Sequence, residues 1–137
     1  MDSRLPPSGT AEFDLSYLQD RIIINRLYGQ WNVEGADKVV WQYLDIVKEN
    51  LAGKDWAGLC DMREWELCPP DVMEYFNNSV LEFTKVNLCW QAILPNNQVQ
   101  KMVVNQYVES TQNGLVACYF HDEEEALEWL RTKIKGQ

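Results

Sequence analysis

Short apolar runs alternate along this chain with longer stretches in which apolar residues recur every three or four positions. Phe13, Leu15 and Tyr17 alternate with Asp14, Ser16 and Gln19, the pattern of a half-buried strand. Ile22, Ile23, Ile24 and Leu27 form a second strand, with Gln19-Asp20 at the turn and Gly29 as a stop, so the two predict a hairpin. After Trp31, Asn32 is placed as an N-cap, and Ala36, Val40, Tyr43, Leu44, Val47 and Leu51 repeat at helical spacing until Gly53. WAGLCD then reads as a short strand ending at Asp61, and a loop through Cys68 leads to Pro69-Pro70-Asp71. Val72, Phe76, Val80 and Phe83 lie on one face of a second helix. NLCWQAILP is the next strand. Val99, Met102, Val103 and Gln106 or Tyr107 suggest a shorter third helix, followed by a turn at Gly114 and the strand LVACYF. Ala126, Leu127, Leu130 and Ile134 face the core from a last helix.

A hairpin followed by alternating helices and strands implies right-handed crossovers and an α/β fold. The expected architecture is a single, mostly parallel five-stranded sheet with an N-terminal hairpin and about four flanking helices. LCWQAIL and LVACYF suit interior strands covered on both faces. Residues 1–10, rich in Pro, Ser and Gly, read as a flexible tail, and residues 11–137 as one domain.

The stretch ACYFHDEEEALEWL holds the only histidine, His121, directly followed by four acids. Asp122 with Glu125 has capping-box spacing, and Glu123 and Glu124 fall in the first turn, where the helix field favours negative charge. A strand-to-helix junction therefore accounts for all four acids without a metal or a catalytic role, and His121 occupies the position before the cap.

Composition narrows the function classes. Of 137 residues, 21 are acidic and 12 basic, and no three Lys or Arg stand together, so nucleic acid and anionic membranes are poor partners. The opening MDSRLPPSGT lacks the apolar segment of a secretory signal, and no apolar run is long enough to span a bilayer. The expected location is cytoplasmic, which makes Cys60, Cys68, Cys89 and Cys118 thiols. Cys60 and Cys68 are not spaced as CxxC, and one histidine does not complete an ordinary zinc set, so no metal is expected. Neither GxGxxG nor GxxxxGK[ST] occurs, and no nucleophile elbow accompanies His121, so neither a cofactor nor a catalytic residue is assigned.

What remains is a candidate surface at the end of WAGLCD. Asp61 closes a parallel strand on the side where open α/β sheets present ligands, and Arg63 follows within pairing reach. Trp65 and Trp31 lie in connections, where large aromatics serve either recognition or packing. Asp61, Arg63, Trp65 and Trp31 are the interaction or ligand-binding candidates.

Three passages carry a family resemblance. GQWNVEGADKVVWQYLDIV has a glycine closing a strand, a polar cap and an amphipathic helix; WAGLCDMR is a strand ending in Asp-x-Arg; YFHDEEEALEWL has a closing Phe, an acidic cap and an Ala-Leu-x-Trp-Leu helix. Together they resemble the STAS-like family over roughly residues 11–135. That family includes anti-sigma-factor antagonists and a less characterised branch of small bacterial proteins, the latter also similar to lipid-carrier domains. The resemblance implies a non-enzymatic cytoplasmic regulatory or interaction domain with a protein partner, or a homodimer. Antagonists of the phosphoswitch type carry a serine just after the strand that ends here at Asp61, whereas this chain has no serine or threonine from there until Ser79. The expectation is therefore regulation without the serine switch. The alternatives are a small apolar-ligand or lipid-binding domain, which an apolar pocket beneath the first two helices would favour, and an enzyme with an acidic cleft.

Overall fold

The computed structural model describes residues 6–66, 68–96, 110–112 and 114–136. It contains β1 (Thr10–Asp14), β2 (Ile22–Tyr28), α1 (Val33–Asn50), β3 (Trp56–Asp61), α2 (Pro70–Lys85), β4 (Leu88–Leu94), β5 (Ser110–Gln112), β6 (Leu115–Tyr119) and α3 (Glu123–Lys135). One sheet joins all six strands in the order β1-β2-β3-β4-β6-β5. The β2, β3, β4 and β6 strands are parallel, and β1 lies antiparallel on β2. This is the expected five-stranded sheet with its hairpin, and β5 adds a short antiparallel strand on the far edge. The third helix expected around Val99–Tyr107 lies outside the described residues, as do residues 1–5 of the expected tail.

The first strand is displaced from its expected position. Its ladder runs from Thr10 to Asp14, and Gly9 N–H still donates to the Tyr28 carbonyl at 2.7 Å. Asp14 ends it, because its carboxylate accepts from the Ser16 amide at 2.9 Å and turns the chain. Leu15 is consequently exposed, and Leu18–Asp20 forms a single 3-10 turn leading into β2.

The crossovers β2-α1-β3 and β3-α2-β4 step in the same direction across the sheet. With one handedness they place α1 and α2 on the same face. Ile23, Trp56 and Leu88 pack there against Val40, Tyr43, Val47 and Phe83. The opposite face belongs to α3, whose Ala126, Leu127, Leu130 and Ile134 cover Ile22, Ile24, Leu59 and Leu94. Both caps form as the sequence predicts: Asn32 Oδ1 accepts from Gly35 N at 2.7 Å, and Asp122 Oδ2 from Glu125 N at 3.1 Å.

The second helix is held unevenly. Its apolar face is the expected one, yet only Val72 near its start and Phe83 near its end are buried. Phe76 and Val80, between them, are half-buried. A space remains under the middle of α2.

Candidate functional site

At the carboxyl ends of the parallel strands, on the α3 side of the sheet, four charged groups meet. Arg26 on β2 stands in register with Asp61 on β3, and its Nη1 donates to Asp61 Oδ2 at 2.7 Å and to Glu123 Oε1 at 2.7 Å. Arg63 adds bonds from Nε to Asp61 Oδ1 at 2.9 Å, from Nη2 to Asp61 Oδ2 at 2.9 Å, and from Nη2 to Glu123 Oε1 at 3.1 Å. Burial raises the Asp61 carboxyl, but the hydrogen bonds from Arg63 and Arg26 outweigh it and hold the group below the ordinary 3.8. Hydrogen bonding to Glu123 leads the forces that raise Arg26. Both Asp61 oxygens are occupied. The cluster ties the first turn of α3 to β2 and β3 around Asp61, which is only 7% exposed.

Trp65 and Trp31, which the sequence left open to recognition or packing, lie within the fold: they are 3% and 4% exposed and share a core cluster with Leu27, Ala36 and Val72. The loop after Asp61 is sewn to the end of β2 by backbone bonds, Gly29 N to Glu64 O at 2.9 Å and Glu66 N to Gly29 O at 3.0 Å. Asn96 Nδ2 donates to the Trp65 carbonyl at 2.7 Å from the other side. Gly29 is required at this junction. Its φ is +75°, and a Cβ there would stand 2.6 Å from the Ser8 Cα. The polar character of the loop sequence hid this pairing, which depends on residues far away in the chain. Among the described residues, the buried indole N–H groups of Trp31 and Trp65 make no close hydrogen bond, and the Trp65 side chain reaches only the Cys68 thiol. Burial raises the Cys68 thiol, and the Trp31 backbone and the Trp65 side chain oppose that rise. Trp41, by contrast, is 55% exposed on α1.

The space beneath α2 is a cavity of about 280 Å³, open to solvent at one side. Its floor includes Asn25 and Leu27 of β2, Cys60 of β3 and Ile93 of β4, and its roof includes Val39, Val40 and Tyr43 of α1. Phe76 and Val80 reach into it from α2. Trp65 forms part of the wall, so one of the expected site residues borders the cavity as a packing surface. Tyr43 organises the aromatic side of the roof, with ring centroids 4.8 Å from Phe83, 5.1 Å from Phe13 and 5.6 Å from Trp56. Its hydroxyl lies over Gly58, where a Cβ would approach it to 2.9 Å. Burial, and secondarily the neighbouring Cys60, raises the Tyr43 hydroxyl well above its ordinary value.

Asn25 interrupts the apolar run of β2 and is 7% exposed. Its Nδ2 donates to Cys60 Sγ at 3.7 Å, a long bond to a weak acceptor. Burial pushes the Cys60 thiol up to about 12, so at neutral pH it remains protonated and is a poor nucleophile. The chain carries 12 basic and 21 acidic residues, yet among the described residues none of those lining the cavity is charged. The described lining can enclose an apolar body and hydrogen-bond to a neutral polar group on it, but it offers no counter-ion. The signal for it in the sequence was the isolated Asn25 between Ile24 and Arg26.

Among the described residues, no three or more His, Cys, Asp or Glu side chains gather where a metal ion would be held, and no helix is long and apolar enough to cross a membrane.

Comparison with known proteins agrees with this fold. The family described as a domain of unknown function, DUF7793, matches residues 17–134. No curated protein matches the chain. Among solved structures, an uncharacterised protein of the DUF3478 family with a SpoIIAA-like fold, from Shewanella loihica PV-4, is similar with a TM-score of 0.59. The two share 21% sequence identity, and the alignment covers 95% of this chain and 98% of that one. This likeness establishes a SpoIIAA-like, STAS-type fold.

Proposed function

Starting from the family described as a domain of unknown function, DUF7793, to which this chain belongs, we propose that it is a non-enzymatic regulatory domain that binds a small apolar molecule. The site is the cavity between the α1–α2 layer and the sheet. The observation that carries this reading is a largely apolar space of about 280 Å³, with no charged residue among its described lining, inside an otherwise highly charged protein. Its size is near the lower end of ligand pockets, roughly 300–1,000 Å³, and a few convergent polar groups in an apolar lining are the usual composition of such sites. The burial of Trp65 and Trp31 favours this reading over recognition through the loop after Asp61. The absence of a serine or threonine between Asp61 and Ser79 supports control by ligand in place of a phosphoswitch.

Titration with phenylnaphthylamine, an uncharged dye that brightens in apolar surroundings, tests the proposal. Saturable binding at one site is expected. Val80→Trp, which fills the cavity from α2, should weaken it at least about tenfold while leaving a cooperative thermal transition. Absence of saturable binding, or equal binding by a folded Val80→Trp protein, would refute the reading.

Trp41 carries a second reading, contact with a protein partner or a second copy of the chain, because it is 55% exposed on α1 and tryptophan is enriched among the residues that dominate interfaces. Affinity capture with wild type and Trp41→Ala side by side, together with sedimentation, tests it. Equal capture and equal sedimentation remove Trp41 from any interface.

A further inference from the structure

We infer that the cavity selects an uncharged molecule whose one polar group, a carboxamide or a similar neutral donor–acceptor, pairs with the side chain of Asn25; the inference rests on the ligand-binding reading above. Two independent features point to it. The first is Asn25 itself. A carboxamide has two N–H donors and a carbonyl acceptor, and here a single N–H is used, on sulfur at 3.7 Å. Asn25 sits on β2 between Ile24 and Arg26, on the cavity side of a strand whose neighbours Ile23 and Leu27 are buried. A leucine of similar size would satisfy the core there, so the amide leaves hydrogen-bonding capacity facing the cavity without helping to fill it. An asparagine buried in that manner is costly unless something completes its bonds.

The second feature is the lining. Tyr43 and Cys60, beside Asn25, add only neutral hydrogen-bonding groups, and among the described residues none of those lining the cavity is charged. A carboxylate, phosphate or ammonium on the ligand would lose its hydration and meet no counter-ion among the described lining residues. A neutral amide loses less hydration and recovers both of its hydrogen bonds from the Asn25 carboxamide, which is self-complementary in donors and acceptors. The arrangement therefore discriminates by charge as well as by shape. An anionic amphiphile would have to leave its headgroup at the opening, away from Asn25.

Three matched probes decide the matter: methylnaphthalene, naphthamide and naphthoate, titrated at neutral pH by ligand-observed NMR, with phenylnaphthylamine as the reference for cavity access. Wild type should bind naphthamide at least about tenfold more tightly than naphthoate, and no more weakly than methylnaphthalene despite the greater hydration of the amide. Asn25→Leu should weaken naphthamide at least about fivefold and leave methylnaphthalene, which makes no hydrogen bond, within about twofold. Naphthoate binding as tightly as naphthamide would overturn the selection against charge. Naphthamide binding equally to wild type and a folded Asn25→Leu would overturn the role of Asn25. Should Asn25→Leu not fold, the three-probe ranking in wild type decides, and naphthamide falling below methylnaphthalene sinks the proposal. Failure of phenylnaphthylamine as well would show that the cavity takes no ligand. That outcome rejects the ligand-binding reading itself, and is distinct from a failure confined to the choice of ligand.

Discussion

Arg26 and Asp61 stand opposite each other across the β2–β3 ladder, joined Nη1 to Oδ2 at 2.7 Å, and the same Nη1 reaches Glu123 on α3. A single guanidinium thus links two strands to the helix on that face. Removing the central acid leaves a partly buried cation short of one acceptor. Asp61→Ala is expected to cost about 2–3 kcal/mol in urea unfolding, below the roughly 3–5 kcal/mol seen when a fully buried pair is broken. Arg63→Ala, at the exposed side of the cluster, should cost less than about 1 kcal/mol. Equal costs for the two variants would show that Arg26 does not hold the junction.

The same carboxylate predicts an acid limb of stability. Its folded-state pKa lies below the ordinary 3.8, because Arg63 and Arg26 together outweigh burial. A group depressed in this way contributes stability above its unfolded pKa and loses it as the pH falls through the folded value. The stability difference between wild type and Asp61→Asn should therefore be largest near neutral pH and shrink progressively below about pH 4. A difference that stays constant down to pH 3 (roughly an order of magnitude in acidity beyond the unfolded midpoint) would argue against ion pairing as its source.

At the start of α3, capping and ion pairing are separable. Asp122→Ala removes the acceptor for Glu125 N and should cost ~0.5–2 kcal/mol. Glu123→Gln leaves the cap and weakens the bonds from Arg26 and Arg63. Denaturant midpoints should fall in both variants, whereas His121→Ala, just before the cap, should have the smaller effect.

The tryptophans predict opposite outcomes by position. Trp65→Ala empties a core site and should cost about 3–5 kcal/mol. Trp65→Phe should be milder, since it keeps most of the aromatic volume that fills the site. Trp41→Ala, on the exposed side of α1, should change stability by no more than about 0.5 kcal/mol. Thermal or urea unfolding of the three proteins checks the ranking; a destabilised Trp41→Ala with a neutral Trp65→Ala would reverse it.

Elements whose signals are local were legible in the chain. Asn32 and Asp122 cap their helices through bonds three residues away, and the faces of α1 and α3 follow from helical spacing. Crossover handedness then yielded the parallel order of the central strands. The first strand was misplaced by alternation alone, because Phe13, Leu15 and Tyr17 keep a period of two through the turn that Asp14 makes with Ser16.

Periodicity, caps and crossover handedness are short-range properties, so the sequence by itself determined the two capped helices and the parallel central strands they flank. Tertiary structure alone decided the environments of individual side chains in the connections and under α2. Glu123 meets Arg26 across 97 positions, Trp65 is enclosed because Gly29 and Asn96 hold its backbone from distant segments, and Asn25 faces a cavity because α2 is anchored at Val72 and Phe83 and stands off the sheet between them. Burial and charge pairing depend on which surfaces meet, and a helix face has the same period whether it closes on the sheet or leaves room beneath it.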